Sequence, residues 1–393
     1  MKRIADLLLV LLFAAALFVI AGYTVLGPRE TVSFYEQRTL QPLPDPAPEA
    51  LWSGQFFTDL EASYADHLAL RTTMLKLHTK TELTMGKVTV NGVAVGSEVL
   101  LDYNGYARWG LSSLPDDAER IAAGYAALNR RVQAYGGTFC YLGLPLQSSY
   151  FAGAYPDCLD DRQWQMSAVR EAFGDAMASQ DVPFLDMYSQ YAAQGFPKEF
   201  YYETDHHFTM RGAFAACQAV LEYVNRESGL SLAVPGEEDF QWTVLPNSFL
   251  GSANRKLYGL WETSDVLEIA EGKEAVPFRR FDNGQPVEAA VYALPETPWA
   301  AATYGVYMGG DIGESILQTD RPDLPSLLIY GDSFTDPLEC LLWRCFDETR
   351  SLDLRYYNEK TLGEYLDAYQ PDLVLCVRDE TVYLSADGNG AVD

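Results

Sequence analysis

The chain opens with its longest apolar run, ADLLLVLLFAAALFVIAGYTVLG at residues 5–27, interrupted by a single charge at Asp6. As a helix that length matches the hydrocarbon thickness of a bilayer. Lys2 and Arg3 precede it, and the positive-inside rule keeps them cytoplasmic and places the rest of the chain outside. A signal peptide cleaved near Ala21 and Gly22 is the alternative; an uncleaved anchor is the expectation, because the run is long for a signal. Residues 28–50 contain Pro42, Pro44, Pro46 and Pro48, an alternation that favours an extended stalk. From Gln55 to Leu83 apolar residues (Phe56, Phe57, Leu60, Tyr64, Leu68, Leu75) recur at helical spacing, predicting one or two amphipathic helices. Residues 87–106 read as a β-hairpin region turning at Asn91-Gly92.

A regular alternation then begins. Helical periodicity over 116–134, 161–179 and 209–226 separates apolar strand-like runs at 136–146 and 182–188. The alternation stops near Ser228 and resumes after Leu324 with PSLLIYGDSF as strand and turn, a helix at 335–346, RSLDLRYY as strand, a helix at 360–368 and PDLVLCVRD as a last strand. Strands and helices alternating at this pitch predict a parallel sheet covered by helices on both faces, an α/β fold. The intervening 229–324, rich in Trp, Tyr, Gly and Pro, reads as a β-rich insertion. The expected organisation is an anchor at 1–27, a stalk at 28–50 and one α/β domain over 51–393.

Composition narrows the function. Apolar residues make up 48% of the 393 and charged residues 21%, as in a folded protein. A formal net charge of −27 repels phosphate backbones and argues against a nucleic-acid partner. The 25 Tyr and 7 Trp are core residues or, as the alternative, the lining of a sugar-binding groove. Six cysteines show no metal-binding spacing, so disulfides are permitted but no pairing follows; Cys140 and Cys376 sit in apolar runs and are expected to be buried thiols.

Only four histidines occur, two of them adjacent in TDHHFTMRGAF, residues 204–214. A second informative stretch is LLIYGDSFTDP, residues 327–337, where a strand delivers Gly331-Asp332-Ser333 to a helix start. Ligands bind at the carboxyl ends of strands in open parallel sheets, and a helix start offers free N–H groups to an oxyanion. Ser333 there is either a nucleophile or, with Asp332, a helix cap. A serine nucleophile needs a histidine base oriented by a carboxylate. His67 and His78 fall in the N-terminal amphipathic helices, which leaves the 204–214 stretch. Thr209 is the expected cap of the following helix, with Asp205 to His207 on an extended approach to it. In an extended chain residues i and i+2 share a face, so Asp205 and His207 pair and His206 turns aside. A metal site at Asp205, His206 and His207 and a purely structural turn stand as the other readings; no HxH or HExxH pattern supplies further ligands.

FYYETDHHFTMRGAF resembles the signature of the DHHW family and the D-x-H-W-T motif of the alginate O-acetyltransferase proteins related to SGNH hydrolases. FYEQRTL, YADHLALR, NGVAVG, SFLGSANRKLYG and LLIYGDSF fall in the order of that family, and the resemblance spans most of the part beyond the anchor. Phe208 departs from it, standing where the family has tryptophan and lacking the indole donor. The resemblance implies an SGNH hydrolase-like, flavodoxin-like sheet with an insertion. It also implies acetyl transfer to, or removal from, a cell-surface glycan by Ser333, His207 and Asp205. Gly251, Asn254 and His206 are candidate oxyanion or substrate residues. No metal or cofactor is implied; a membrane-bound O-acyltransferase is an implied partner. A non-catalytic glycan-binding or scaffolding role on the same fold is the alternative.

Overall fold

Strand and helix alternate along the chain as the pattern predicts in a computed structural model that describes residues 2–36, 38–96, 98–103 and 113–391. The chain divides into two compact units, Met1–Gly92 with Asn254–Glu262, and Val93–Ala253 with Thr263–Asp393.

The first unit begins with helix α1, Lys2–Leu26, whose most apolar window within Ile4–Leu26 has a mean hydropathy of 2.8 and is unburied. It is long and apolar enough to cross a membrane. Within the expected stalk, Val32–Ser33 pairs antiparallel with Arg38–Thr39, and a short helix, Pro48–Ser53, starts on a proline. The periodicity over 55–83 resolves into two helices, α2 at Gln55–Asp66 and α3 at Arg71–Thr84. Thr24 at the end of α1 accepts from the Ala69 N–H in the turn between them at 3.1 Å. His67 ends α2, its ring bonded to the carbonyls of Ser63 and Glu30, and His78 lies exposed beside Glu82. Asn91 and Gly92 both take the positive φ of the expected turn, at 50° and 78°. The end of that hairpin region, residues 104–106, lies outside the described residues.

The second unit holds an eight-stranded sheet. Its strands are β1 (Thr138–Leu144), β2 (Phe184–Asp186), β3 (Arg279–Asp282), β4 (Gln285–Val287), β5 (Glu314–Gln318), β6 (Leu327–Gly331), β7 (Glu348–Leu352) and β8 (Leu373–Asp379), in spatial order β4-β3-β5-β7-β6-β8-β1-β2. The five strands β7-β6-β8-β1-β2 run parallel. Successive side chains alternate between two apolar cores, which is why these strands read as continuous apolar runs. Leu327, Ile329, Leu375 and Val377 pack with α6 (Met210–Ser228) and α7 (Thr335–Leu342). Leu328, Tyr330, Val374 and Cys376 pack with α4 (Leu114–Ala134), α5 (Gln163–Ser179) and α8 (Leu362–Tyr369). Each fully buried Leu, Ile or Val contributes about 1.5–3 kcal/mol. Much of the tyrosine goes into these layers: Tyr125, Tyr141, Tyr191, Tyr201, Tyr202, Tyr307, Tyr330 and Tyr383 are fully buried.

The insertion adds what the alternation alone does not predict. Its strands β3, β4 and β5 extend the parallel core antiparallel, with β5 against β7. Only two residues, Asn283 and Gly284, separate β3 from β4, and so short a connection joins antiparallel strands. Two more strands, Phe240–Val244 and Glu268–Gly272, pair with each other outside the sheet. Cys140 and Cys376 are buried thiols as expected, and all six cysteines are unpaired.

Candidate active site

Strand β6 ends at Gly331 and α7 begins four residues later. A Cβ on Gly331 would lie 2.5 Å from the Val377 carbonyl oxygen of β8, so only glycine lets the chain turn off the sheet here. Asp332 closes the turn ahead of α7: its carboxylate accepts from the Phe334 N–H at 3.2 Å, and its carbonyl from the Thr335 N–H at 2.8 Å. The Ser333 hydroxyl is thereby left to point elsewhere.

It meets His207. Nε2 of His207 lies 2.7 Å from Oγ of Ser333, and Nδ1 lies 2.5 Å from Oδ1 of Asp205. The expected helix cap is present, Thr209 accepting from the Gly212 N–H at 3.2 Å. The extended approach is not. Residues 203–207 form a bend closed by an antiparallel bridge between Tyr201 and Phe208 and by a bond from the Tyr202 N–H to the His207 carbonyl. Asp205 and His207 meet through an Asx turn: Oδ1 of Asp205 also accepts the His207 backbone N–H, at 3.1 Å. In consequence His206 does not turn away. Its ring centroid is 3.8 Å from that of His207, its Nδ1 is 2.9 Å from the Ser252 hydroxyl, and its side chain is 45% exposed.

The second carboxylate oxygen of Asp205 accepts the Ser252 N–H at 2.6 Å. Burial works to raise this carboxyl's pKa. The charges of His207 and His206 and the hydrogen bonds from His207 and Ser252 outweigh it and hold Asp205 well below the usual carboxylate range. Gly251 makes the close approach possible, because a Cβ there would stand 2.3 Å from the Thr204 carbonyl oxygen. The Asn254 amide is engaged with the backbone of Trp261 in both directions, Nδ2 to its carbonyl at 2.9 Å and Oδ1 from its N–H at 3.2 Å.

Three neighbours were not legible in the sequence. Tyr304 lies flat against the His207 ring, centroids 3.9 Å apart and planes 10° from parallel; Phe334 packs on the same ring at 4.8 Å; Ser252 holds both Asp205 and His206. Phe208, at the family's tryptophan position, is fully buried and stacks on Phe334. Asp205, His206 and His207 bring three ligand atoms within 4.8 Å, but Asp205 and Nε2 of His207 are already committed to hydrogen bonds in series with Ser333.

A serine, a histidine and an aspartate linked in this way at the carboxyl end of a parallel sheet form a candidate nucleophilic triad. Residues 107–270 match the family described as SGNH hydrolase-like domain, acetyltransferase AlgX. The fold is SGNH hydrolase-like. Among solved structures, PatB1 of Bacillus cereus superimposes on this chain with a TM-score of 0.64 at 19% identity, covering 77% of it and 99% of PatB1. PatB1 bearing a sulfonyl adduct gives 0.63, also at 19% identity, over 77% and 98%. A DHHW family protein from Eubacterium siraeum gives 0.60 at 16% identity over 77% and 95%, in line with the resemblance carried by the Asp-His-His run. No curated protein matches the chain in sequence.

Proposed function

We propose that the protein is a membrane-anchored, extracytoplasmic O-acetyltransferase or acetylesterase acting on a cell-surface polysaccharide. The observation that carries this reading is the 2.7 Å contact between His207 Nε2 and Ser333 Oγ, with Asp205 on the far nitrogen. Ser333 Oγ attacks the acetyl carbonyl while its proton passes to His207 Nε2. Collapse of the tetrahedral adduct breaks the ester bond, and the leaving oxygen takes that proton back. A sugar hydroxyl or water then repeats the sequence on acetyl-Ser333, returning the serine. Asp205 remains a carboxylate throughout, fixing the Nδ1–H tautomer and stabilising the imidazolium. The Ser333 N–H at the turn into α7 is the donor proposed for the oxyanion.

The match of residues 107–270 to an acetyltransferase family and the PatB1-like fold support this chemistry. Helix α1 supports the anchor; the proposal holds the α/β domain outside and takes a membrane-bound O-acyltransferase as the partner that supplies acetyl groups. The test is reaction of the purified protein with a fluorophosphonate probe, followed by mass mapping. Ser333 should be modified in the wild type and not in Ser333→Ala, and His207→Ala should react at least about 10²-fold more slowly. An unlabelled wild type, or equal labelling of His207→Ala, would show a binding or scaffolding protein instead.

A further inference from the structure

The turn that presents Ser333 also borders a cavity lined by five carboxylic acids: Asp311, Asp332, Asp336, Glu339 and Asp353. Four of them have partners. Glu339 Oε1 accepts from the hydroxyls of Thr335 and Ser351, each at 2.6 Å. Asp353 holds Arg355 and Asn389, and Asp311 pairs with the same Arg355 at 3.2 Å. Asp332 caps the turn.

Asp336 differs. It is 6% exposed, lines the cavity, and has no side-chain hydrogen bond or ion pair among the described residues. Burial, reinforced by the charges of Glu339, Asp311, Asp332 and Asp353, pushes its pKa well up. An acid this nearly buried gains from a donor reaching it through the cavity, and the described residues do not provide one. The nearby cations do not supply it: Arg355 is shared between Asp311 and Asp353, and Arg280 is spent on Asp282 and two carbonyls.

A group that fits is a small donor, and a positive one would in addition offset the crowding of five acids. The cavity measures ≈ 10 Å³, about the room of one water or one ammonium. A metal ion fits poorly: among the described residues only Asp205, His206 and His207 gather three ligand atoms within 4.8 Å, and the five acids do not. The site also borders the turn that carries Ser333. Asp332 is covalently next to Ser333, and Asp311 is within electrostatic reach of His207.

We propose that this cleft receives the ammonium group of an amino sugar, so that the glycan acetylated or deacetylated at Ser333 carries free amines close to the reacting hydroxyl. The inference rests on the acyl-transfer reading of Ser333 and specifies its substrate class. A polyuronate would bring carboxylates against five acids and is disfavoured on the same grounds.

Acetate release is the assay, since a transferase and an esterase both form acetyl-Ser333 from an O-acetylated sugar. O-acetylated chitosan oligosaccharides, O-acetylated fully N-acetylated chitin oligosaccharides and O-acetylated oligomannuronates are compared, each kcat/KM being divided by that on p-nitrophenyl acetate. The expected result is a preference of about tenfold or more for the amine-bearing series over both others, falling to about twofold or less in Asp336→Asn. Asp311→Asn, at a partly exposed position, should lower the preference as well and guards against a folding defect in the first variant. Equal use of the three series, a preference for the uronate series, or a preference unchanged in both variants would overturn the proposal. Absence of turnover on p-nitrophenyl acetate together with absence of labelling at Ser333 would instead overturn the acyl-transfer reading, and this inference with it.

Discussion

Tyr304 lies parallel to the His207 imidazole at 3.9 Å, a stacking that fixes the ring plane in which Nε2 faces Ser333. The stack uses the aromatic face alone, because the Tyr304 hydroxyl is buried with no protein partner. Tyr304→Phe should therefore keep activity within about twofold and match or exceed the wild type in Tm, since it removes an unsatisfied group. Tyr304→Ala should cost about 3–5 kcal/mol in denaturant unfolding and lower kcat. A Tyr304→Phe variant as damaged as Tyr304→Ala would show that the hydroxyl is used.

Asp205→Asn should lower kcat/KM on an acetyl ester by about 10²–10⁴-fold with the fold retained. The amide can still accept from one of the His207 and Ser252 N–H groups, but it carries no charge to stabilise an imidazolium and can favour the wrong tautomer. His206→Ala should cost less than about tenfold, because His206 bonds Ser252 and not Ser333. Equal losses in the two variants would mean that the adjacent histidines act as one unit.

Gly251→Ala places a methyl against the Thr204 carbonyl and should push the Ser252 N–H away from Asp205. The expected phenotype is a fall in kcat of about tenfold or more in protein whose far-ultraviolet dichroism is unchanged. A variant with normal kcat would separate the Ser252 contact from function.

Stability should be greatest in mild acid. Burial, with the charge of Asp332, pushes Asp379 at the end of β8 up to about 6, and burial pushes Glu380 up to about 6 against the pull of Arg170. A carboxyl with a raised folded pKa binds its proton more tightly when folded. Its stabilisation is complete below the unfolded value and is lost as the pH rises through the folded one. Asp205 has the opposite sign: its contribution is complete above about pH 4 and disappears only in stronger acid. Across pH 4 to 8, thermal unfolding should show its highest Tm at the acid end, with Tm falling by roughly 5 °C by pH 7. The slope should flatten in Asp379→Asn, and a Tm that rises across that range would contradict the burial of these groups.

The parallel core was legible because its strands are buried on both faces and its helices are long. The helix expected at 116–134 runs Leu114–Ala134, and the strand expected within PDLVLCVRD runs Leu373–Asp379. Strands β3, β4 and β5 are three to five residues long and partly exposed, so no window of sequence distinguishes them from loop. Asn283-Gly284 was the one local signal of their hairpin. At the site, Asp205 and His207 were paired on an extended geometry, whereas a two-residue Asx turn brings them together. That difference decides why His206 stays beside His207. Tyr304 lies in no motif, and Ser252, though inside SFLGSANRKLYG, shows its role only through contacts made by the fold. The acids around Asp336 were half legible, since Asp332, Asp336 and Glu339 recur at helical spacing, but Asp311 and Asp353 come from other segments.

Ser252, Tyr304 and Asp311 all come from the stretch between α6 and β6, while Asp205, His207 and Ser333 come from the alternating core on either side. The division separates two tasks within one chain. If Ser333 and His207 act as proposed, the core can keep that pair unchanged while substitutions in the intervening stretch alter how firmly the histidine is held and which charge an incoming sugar meets. Selectivity could then diverge without any change to the residues proposed to make and break the ester bond.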